Sequence, residues 1–456
     1  MIRMIVCLSV FAFLAFVTSA AETRPNIILI MADDMGYEAL SANGSESCKS
    51  PHLDKLAAKG VRFTNCFSNP ICTPSRVKIM TGQYNVRNYV KFGWLDREQT
   101  TFAHQLKKAG YATAIAGKWQ LGRDKDSPRH FGFEQSCLWQ HTRSGRSNEG
   151  GENIDRRFVN PQLEINGMEK DYSNGEYGPQ VCTEFICNFI DQNKKKPFLV
   201  YYPMILTHCP FDPTPDSTDW DPRRLGSTTY KGDRKDPQRH FRDMVAYADK
   251  AVGQIVAQLE KSGVRDNTLV IFTGDNGTDK PIVTPWNGTK VVGGKGSMTD
   301  RGTRVPLIAS WPAGIQKPGR VVDDLVEFTD MVPTLCEVTG AKLPQNHPAD
   351  GASIVPVLQN KAGSRTKNWI YIWYRKQVMI RNQHYSLLAN QDGTNAALTR
   401  YNNPFDGEQL KDNKLTKSER ALKKQFQARI AELARTRLST TSKEGRVQGL
   451  KNKTNR

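Results

Sequence analysis

The sequence predicts an α/β fold: a large, mostly parallel sheet flanked by helices, followed by a smaller C-terminal unit of antiparallel sheet plus helix. Two observations carry this expectation. Four near-continuous apolar, β-rich runs alternate with helical patterns over the first 280 residues, as repeated βα units do. After position 364 the pattern changes to short strands separated by turns.

The four runs are 26–32 (NIILIMA), 111–117 (YATAIAG), 197–202 (PFLVYY) and 268–274 (TLVIFTG). Such runs suit strands covered on both faces of a parallel sheet. Helical spacing over 53–60, 101–109, 184–193 and 239–263 separates them. Beyond 364, the runs 369–374, 378–380 and 385–388 read as antiparallel strands, and apolar residues at helical spacing over 418–438 predict a helix to pack on them. The expected division is 21–363 for the large domain, 364–438 for the small one and 439–456 for a polar, basic, disordered tail.

Residues 1–20 stand apart. Arg3 precedes a short apolar stretch ending in Thr18-Ser19-Ala20, the pattern of a cleavable export signal, too short for an ordinary span. No later segment is apolar enough to cross a membrane. The expected location is therefore outside the cytoplasm, periplasmic or secreted. Lys and Arg total 64 against 46 Asp and Glu, a formal charge of +18, which favours polyanionic partners. Export and the lack of a recognised module argue against nucleic acid. Eight cysteines follow the leader, too scattered for a disulfide framework and without the paired CxxC of a zinc site.

Each apolar run ends in chemistry. The first leads into Asp33-Asp34, the second into Lys118, the third through 203–207 into His208, and the fourth into Asp275-Asn276. Ligands of open α/β sheets bind beyond the carboxyl ends of the strands. Three carboxylates and an amide oxygen there are ligands for a hard cation, Ca²⁺ or Mg²⁺. Asp33-Asp34 alone reads as a turn with a helix cap; its recurrence at Asp275-Asn276 points to a metal.

Cys72 sits where a loop becomes a helix, with Thr73 as the expected cap and Pro74 in the first turn. Arg76, four positions on, shares its face. A buried structural cysteine and a thiolate activated by the helix end both remain open from these residues alone.

Cys72-Thr73-Pro74-Ser75-Arg76 resembles the C-x-P-S-R signature of type I sulfatases, of the alkaline-phosphatase-like superfamily. The similarity extends, with gaps, from Pro25 to Leu358: Asp33-Asp34-Met35-Gly36 resembles the family's metal acids, 53–65 its first helix, and Gly293-Gly294-Lys295-Gly296 its sulfate-binding lysine region. The resemblance implies that Cys72 is oxidised to formylglycine by a formylglycine-generating or sulfatase-maturating enzyme. Asp33, Asp34, Asp275, Asn276 and the modified Cys72 would hold one Ca²⁺. Arg76 would steady the formylglycine, Lys118 and Lys295 would neutralise sulfate oxygens, and His208 would protonate the departing alcohol. A hydrated aldehyde would attack sulfur with one hydroxyl and expel sulfate with the other.

One position departs from the pattern. Gln120 stands where the family usually has a histidine, in Gly117-Lys118-Trp119-Gln120-Leu121-Gly122, and an amide is no general base. His141 offers a replacement or a substrate contact, with a surface loop residue as the plainer expectation. Segment 140–177 reads as a substrate loop or an ordinary insertion. The resulting expectation is a sulfatase acting on a sulfated carbohydrate. Phosphate or phosphonate monoester hydrolysis is the enzymatic alternative, and a weakened sulfated-glycan-binding protein the non-enzymatic one.

Overall fold

The computed structural model describes residues 24–139, 141–142, 147–149, 152–154, 156–224, 236–361 and 367–438. The expected leader, the basic tail and the 363/364 boundary lie outside them. Ten strands form the main sheet: β1 (Asn26–Ala32), β2 (Val61–Phe67), β3 (Ala112–Lys118), β4 (Gln135–Trp139), β5 (Gln162–Ile165), β6 (Met168–Asp171), β7 (Phe198–Pro203), β8 (Thr268–Gly274), β9 (Arg304–Ser310) and β10 (Arg320–Glu327). Their spatial order is β10-β2-β9-β8-β1-β7-β3-β4-β5-β6. The inner five, β8 to β4, run parallel. Antiparallel pairings at β9 and at β5 and β6 make the flanks mixed.

The four apolar runs are β1, β3, β7 and β8, neighbours at the centre of the sheet. Alternation along β1 explains why it is apolar throughout. Ile28, Ile30 and Ala32 face a core with Ile186 and Phe189 of the Gly178–Asn193 helix and Met244 and Val252 of the Pro237–Lys261 helix. Ile27, Leu29 and Met31 face the opposite core, with Val77 and Met80 of the Cys72–Thr81 helix and Phe102 of the Phe102–Lys108 helix. Register then places the chemistry. Ala32 pairs with Gly274, so Asp33-Asp34 and Asp275-Asn276 leave adjacent strands side by side.

Part of the insertion expected to be a loop is sheet. β5 and β6 form a hairpin that pairs along the edge of β4, because that edge strand offers unpaired backbone groups.

The C-terminal strands β11 (Ile370–Tyr374), β12 (Gln377–Arg381), β13 (Tyr385–Asn390), β14 (Ala397–Asn403) and β15 (Asp406–Gln409) form an antiparallel sheet in that order. The Lys417–Ala434 helix packs Phe426, Ile430 and Leu433 onto it. Ile370, Ile372 and Met379 join Phe67 and Leu325 of the large sheet in one apolar cluster. Lys367 adds buried ion pairs to Glu327 at 2.7 Å and Asp330 at 2.8 Å.

Candidate active site

The Cys72–Thr81 helix is buried along its whole length, with Cys72 as its first residue. Its cap differs from expectation. Ile71 is the N-cap, and the Thr73 hydroxyl instead accepts a hydrogen bond from the Gly93 N–H at 3.1 Å. Thr73 is already inside the first turn, so its oxygen is turned away from the free N–H groups it was expected to cap. Ser75 fixes the approach: its Oγ accepts from the Asn69 N–H at 3.1 Å and donates to the Asn69 carbonyl at 3.0 Å. Burial pushes the Cys72 thiol up from its ordinary value, which disfavours the activated-thiolate alternative.

Two close backbone approaches bring the strand ends together. Gly117 has φ +107, and a Cβ there would meet the Pro203 carbonyl at 2.1 Å; a Cβ on Gly274 would meet the Met35 carbonyl at 2.0 Å. Neither neighbour tolerates a side chain.

The acids form one cluster. The Asp34 N–H donates to Asp275 Oδ1 at 2.9 Å, and Asn276 Nδ2 donates to Asp34 Oδ1 at 2.8 Å. Asp34 itself has φ +58, a left-handed conformation that a non-glycine residue adopts at a cost. Cations interleave with the acids. Lys118 Nζ donates to Asp33 Oδ2 at 2.6 Å, and Lys295 donates to Asp34 Oδ2. Arg76 Nη2 lies 3.2 Å from Asp275 Oδ2 and 3.6 Å from Asp33 Oδ2, while its Nη1 donates to the Lys118 carbonyl at 3.0 Å. His208 Nε2 is 3.6 Å from Asp34 Oδ2. Backbone bonds from Lys295 N–H to the Thr278 carbonyl and from Gly296 N–H to the Pro70 carbonyl tie the lysine loop to the segment before Cys72. The structure thus gathers all nine expected residues around one point.

Electrostatics divide the three carboxyls. Burial opposes charge on Asp33, but Lys118, His208, Arg76 and Lys295 outweigh it and hold the group far below the usual range. Burial, helped by the charge on Asp33, pushes Asp34 and Asp275 up. Two of three acids are therefore costly to ionise without another cation. The oxygens agree. Asp33 Oδ1 and Asn276 Oδ1 are buried and make no hydrogen bond, and Asp33, Asp34 and His208 can bring ligand atoms within 4.8 Å of one another. Orphaned acceptors on a carboxylate and an amide fit a hard divalent cation.

Arg157 was not legible in the sequence. It is buried, lies over the Trp139 ring at 4.3 Å and places Nη1 2.8 Å from His208 Nδ1. It comes from the insertion, where no period or motif marks it. Gln120 has φ +55, and its Oε1 is buried without a hydrogen bond. His141 is not the surface loop residue expected. It is buried, with Nδ1 2.7 Å from Glu164 Oε2, because β5 carries Glu164 into its reach. Burial works against the charge on Glu164, but His141 and Thr142 hold its carboxyl down to about 2.

Comparison with known proteins decides the family. The sulfatase family model matches residues 25–341, well over half of the chain. The chain belongs to the sulfatase family and is a sulfuric ester hydrolase. A second model, the C-terminal region of N-sulphoglucosamine sulphohydrolase, matches residues 293–436. Among the relatives, mouse (Mus musculus) N-acetylgalactosamine-6-sulfatase is 30% identical over 379 residues, covering 77% of this chain and 69% of its own. Human (Homo sapiens) arylsulfatase A is 32% identical over 377 residues, covering 76% and 70%. The crystal structure of Ps i-CgsB superposes with a TM-score of 0.76 at 25% identity, covering 91% of this chain and 94% of that one. That superposition shows the fold described above to be shared with Ps i-CgsB.

Proposed function

We propose that this sulfatase releases sulfate from a sulfated carbohydrate outside the cytoplasm, using formylglycine made from Cys72 and one Ca²⁺. The observation that carries the reading is the pair of orphaned, buried oxygens on Asp33 and Asn276, in a cluster whose three acids all have cationic partners on their other oxygens. Asp33, Asp34, Asp275, Asn276 and the modified Cys72 are the proposed ligands. Calcium bound there would supply Lewis acidity toward sulfate oxygens, and formylglycine would supply a hydrated aldehyde as nucleophile.

The chain's own groups do the rest. Three carboxylates are matched by Arg76, Lys118 and Lys295, so a bound divalent cation leaves a net positive site for an anionic ester. Beyond the carboxylate each holds, Lys118 and Lys295 keep further N–H donors for sulfate oxygens. Arg76 orients residue 72 from the next turn of the same helix. His208 presents Nε2 toward the acids while Nδ1 accepts from the Arg157 guanidinium, which leaves the proton of the neutral ring on Nε2. Nε2 is thus the atom through which a proton reaches the leaving oxygen. Burial, then Lys295 and Lys118, holds the imidazole well below its ordinary pKa; a negative sulfate ester arriving among them favours its protonated form. Gln120 orients water or substrate by hydrogen bonding and takes no proton.

The test is expression with a formylglycine-generating enzyme, mass spectrometry of the peptide containing residue 72, and sulfate release from sulfated oligosaccharides. Release that disappears in Cys72→Ala is expected. A confirmed aldehyde with no release from any sulfated sugar overturns the proposal.

A further inference from the structure

The segment 89–95 carries a feature that the nine site residues leave unexplained. Phe92 is 58% exposed, although Trp94 and Leu95 beside it are buried. A single exposed aromatic is ordinary on a protein surface; its position here is not. The Gly93 N–H binds the Thr73 hydroxyl at 3.1 Å, next to Cys72, and the Leu95 N–H binds the Leu121 carbonyl at 3.1 Å, next to Gln120. The loop therefore bridges the start of the nucleophile helix and the segment after Lys118, and Phe92 stands where these two meet.

The C-terminal sheet reaches the same place. The two-residue turn between β11 and β12 begins with Arg375, exposed and at φ +53, with its guanidinium 5.1 Å over the Tyr374 ring. Tyr89 lies 5.9 Å from the adjacent Trp373. Burial, then the Tyr374 hydroxyl and the Cys72 thiol, pushes the Tyr89 phenol up, and Arg375 draws it back. Geometry ties this corner to the site: Asn69, already held by Ser75 beside Cys72, donates its Nδ2 to the Trp373 carbonyl at 2.9 Å.

We infer that Tyr89, Phe92, Tyr374 and Arg375 form a specificity rim over residue 72, in which Phe92 stacks on the face of a sugar ring and Arg375 pairs with a second anionic substituent. Small-molecule sites combine aromatic walls with a few placed polar groups, and a planar guanidinium suits sulfate or carboxylate oxygens. A simple aryl sulfate offers one anion and leaves Arg375 unused, whereas a disulfated sugar engages both. The inference rests on the proposed carbohydrate sulfatase activity and names the substrate class within it.

The experiment compares kcat/KM of the matured enzyme on 4-nitrophenyl sulfate and on mono- and disulfated disaccharides from carrageenan and glycosaminoglycan digests. Phe92→Ala is expected to lower kcat/KM on disaccharides about tenfold more than on the aryl sulfate, chiefly through KM, with Phe92→Trp restoring it. Arg375→Ala is expected to abolish the preference for disulfated over monosulfated sugar. Equal losses on sugar and aryl substrates would mean that Phe92 only braces the loop, and would overturn the rim, as would unchanged sugar kinetics. If the matured wild type hydrolyses none of these, calorimetric binding of the disulfated disaccharide decides: a Kd weakened about tenfold by Phe92→Ala keeps the rim while the hydrolytic reading falls. An unchanged Kd removes both.

Discussion

Arg76 and Lys78 sit two residues apart on the same buried helix, yet they belong to opposite kinds of charge cluster. Arg76 faces Asp33 and Asp275. Lys78 faces Glu327, the Tyr371 carbonyl and, through Glu327, the Lys367–Asp330 pair. Both clusters are buried and close to electroneutral. What separates them is hydrogen-bond completeness. Glu327 accepts from Lys78, Lys367 and the Tyr84 hydroxyl, and Asp330 accepts from Lys367 and the Glu327 and Ala352 N–H groups. In the Arg76 cluster, Asp33 Oδ1 and Asn276 Oδ1 accept nothing. Buried charge by itself marks no site; orphaned acceptors on converging strand ends set the Arg76 cluster apart. The complete cluster anchors the C-terminal sheet under the Cys72–Thr81 helix, and the incomplete one is the proposed metal site.

Substitutions that separate activity from stability probe this contrast most sharply. Asp275→Asn is expected to lower sulfate release about a thousandfold or more while leaving metal-free stability within about 1 kcal/mol, since it removes one of three crowded carboxylates. Kinetics alongside urea denaturation check both halves. Glu327→Gln is expected to do the reverse to the fold. It leaves Lys78 and Lys367 undercompensated and costs about 3–5 kcal/mol in urea; a loss below about 1 kcal/mol would show that the second cluster is not an anchor.

Removal of the proposed calcium should move only the incomplete cluster. Chelation is expected to lower the melting temperature, and Ca²⁺ at about 100 times its Kd to restore roughly 2.7 kcal/mol. The same addition should do nothing for Asp275→Asn. The smallest expected effect lies away from both clusters, at His141–Glu164. Glu164 has its folded pKa lowered from 4.5 to about 2, so its contribution is complete above pH 4.5 and fades as pH falls toward 2. Glu164→Gln should cost roughly 2 kcal/mol at pH 7, and the gap to wild type should narrow between pH 4.5 and 2 in denaturant titrations.

The sequence made the centre of the molecule legible because the centre obeys local rules. β1 and β8 are bounded as their apolar runs are, since strands covered on both faces need apolar residues at every position. Their shared register then brought the acids together. The flanks follow contacts distant in the chain. β10 carries Asp323 and Asp324 mid-strand, so no apolar run announces it, and only pairing with β2 fixes it. Thr73 was misassigned because a threonine in the first turn resembles a cap until the 89–95 loop claims its hydroxyl. His141 was misassigned because its partner, Glu164, lies on a strand hidden in a polar insertion. Arg157 acts on His208 from 51 residues away, a distance that a single sequence does not encode.

The burial of the Cys72–Thr81 helix also dictates an order of events. Cys72 is 3% exposed, and the segments before and beside it are tied down by Gly296 and Gly93. A second enzyme could reach this thiol only by displacing those segments. Any oxidation of Cys72 must therefore happen while the chain is still extended, before the Cys72–Thr81 helix docks. On the proposed chemistry, modification and folding compete in time: a molecule that closes first keeps its thiol sealed inside, well folded and without the proposed aldehyde.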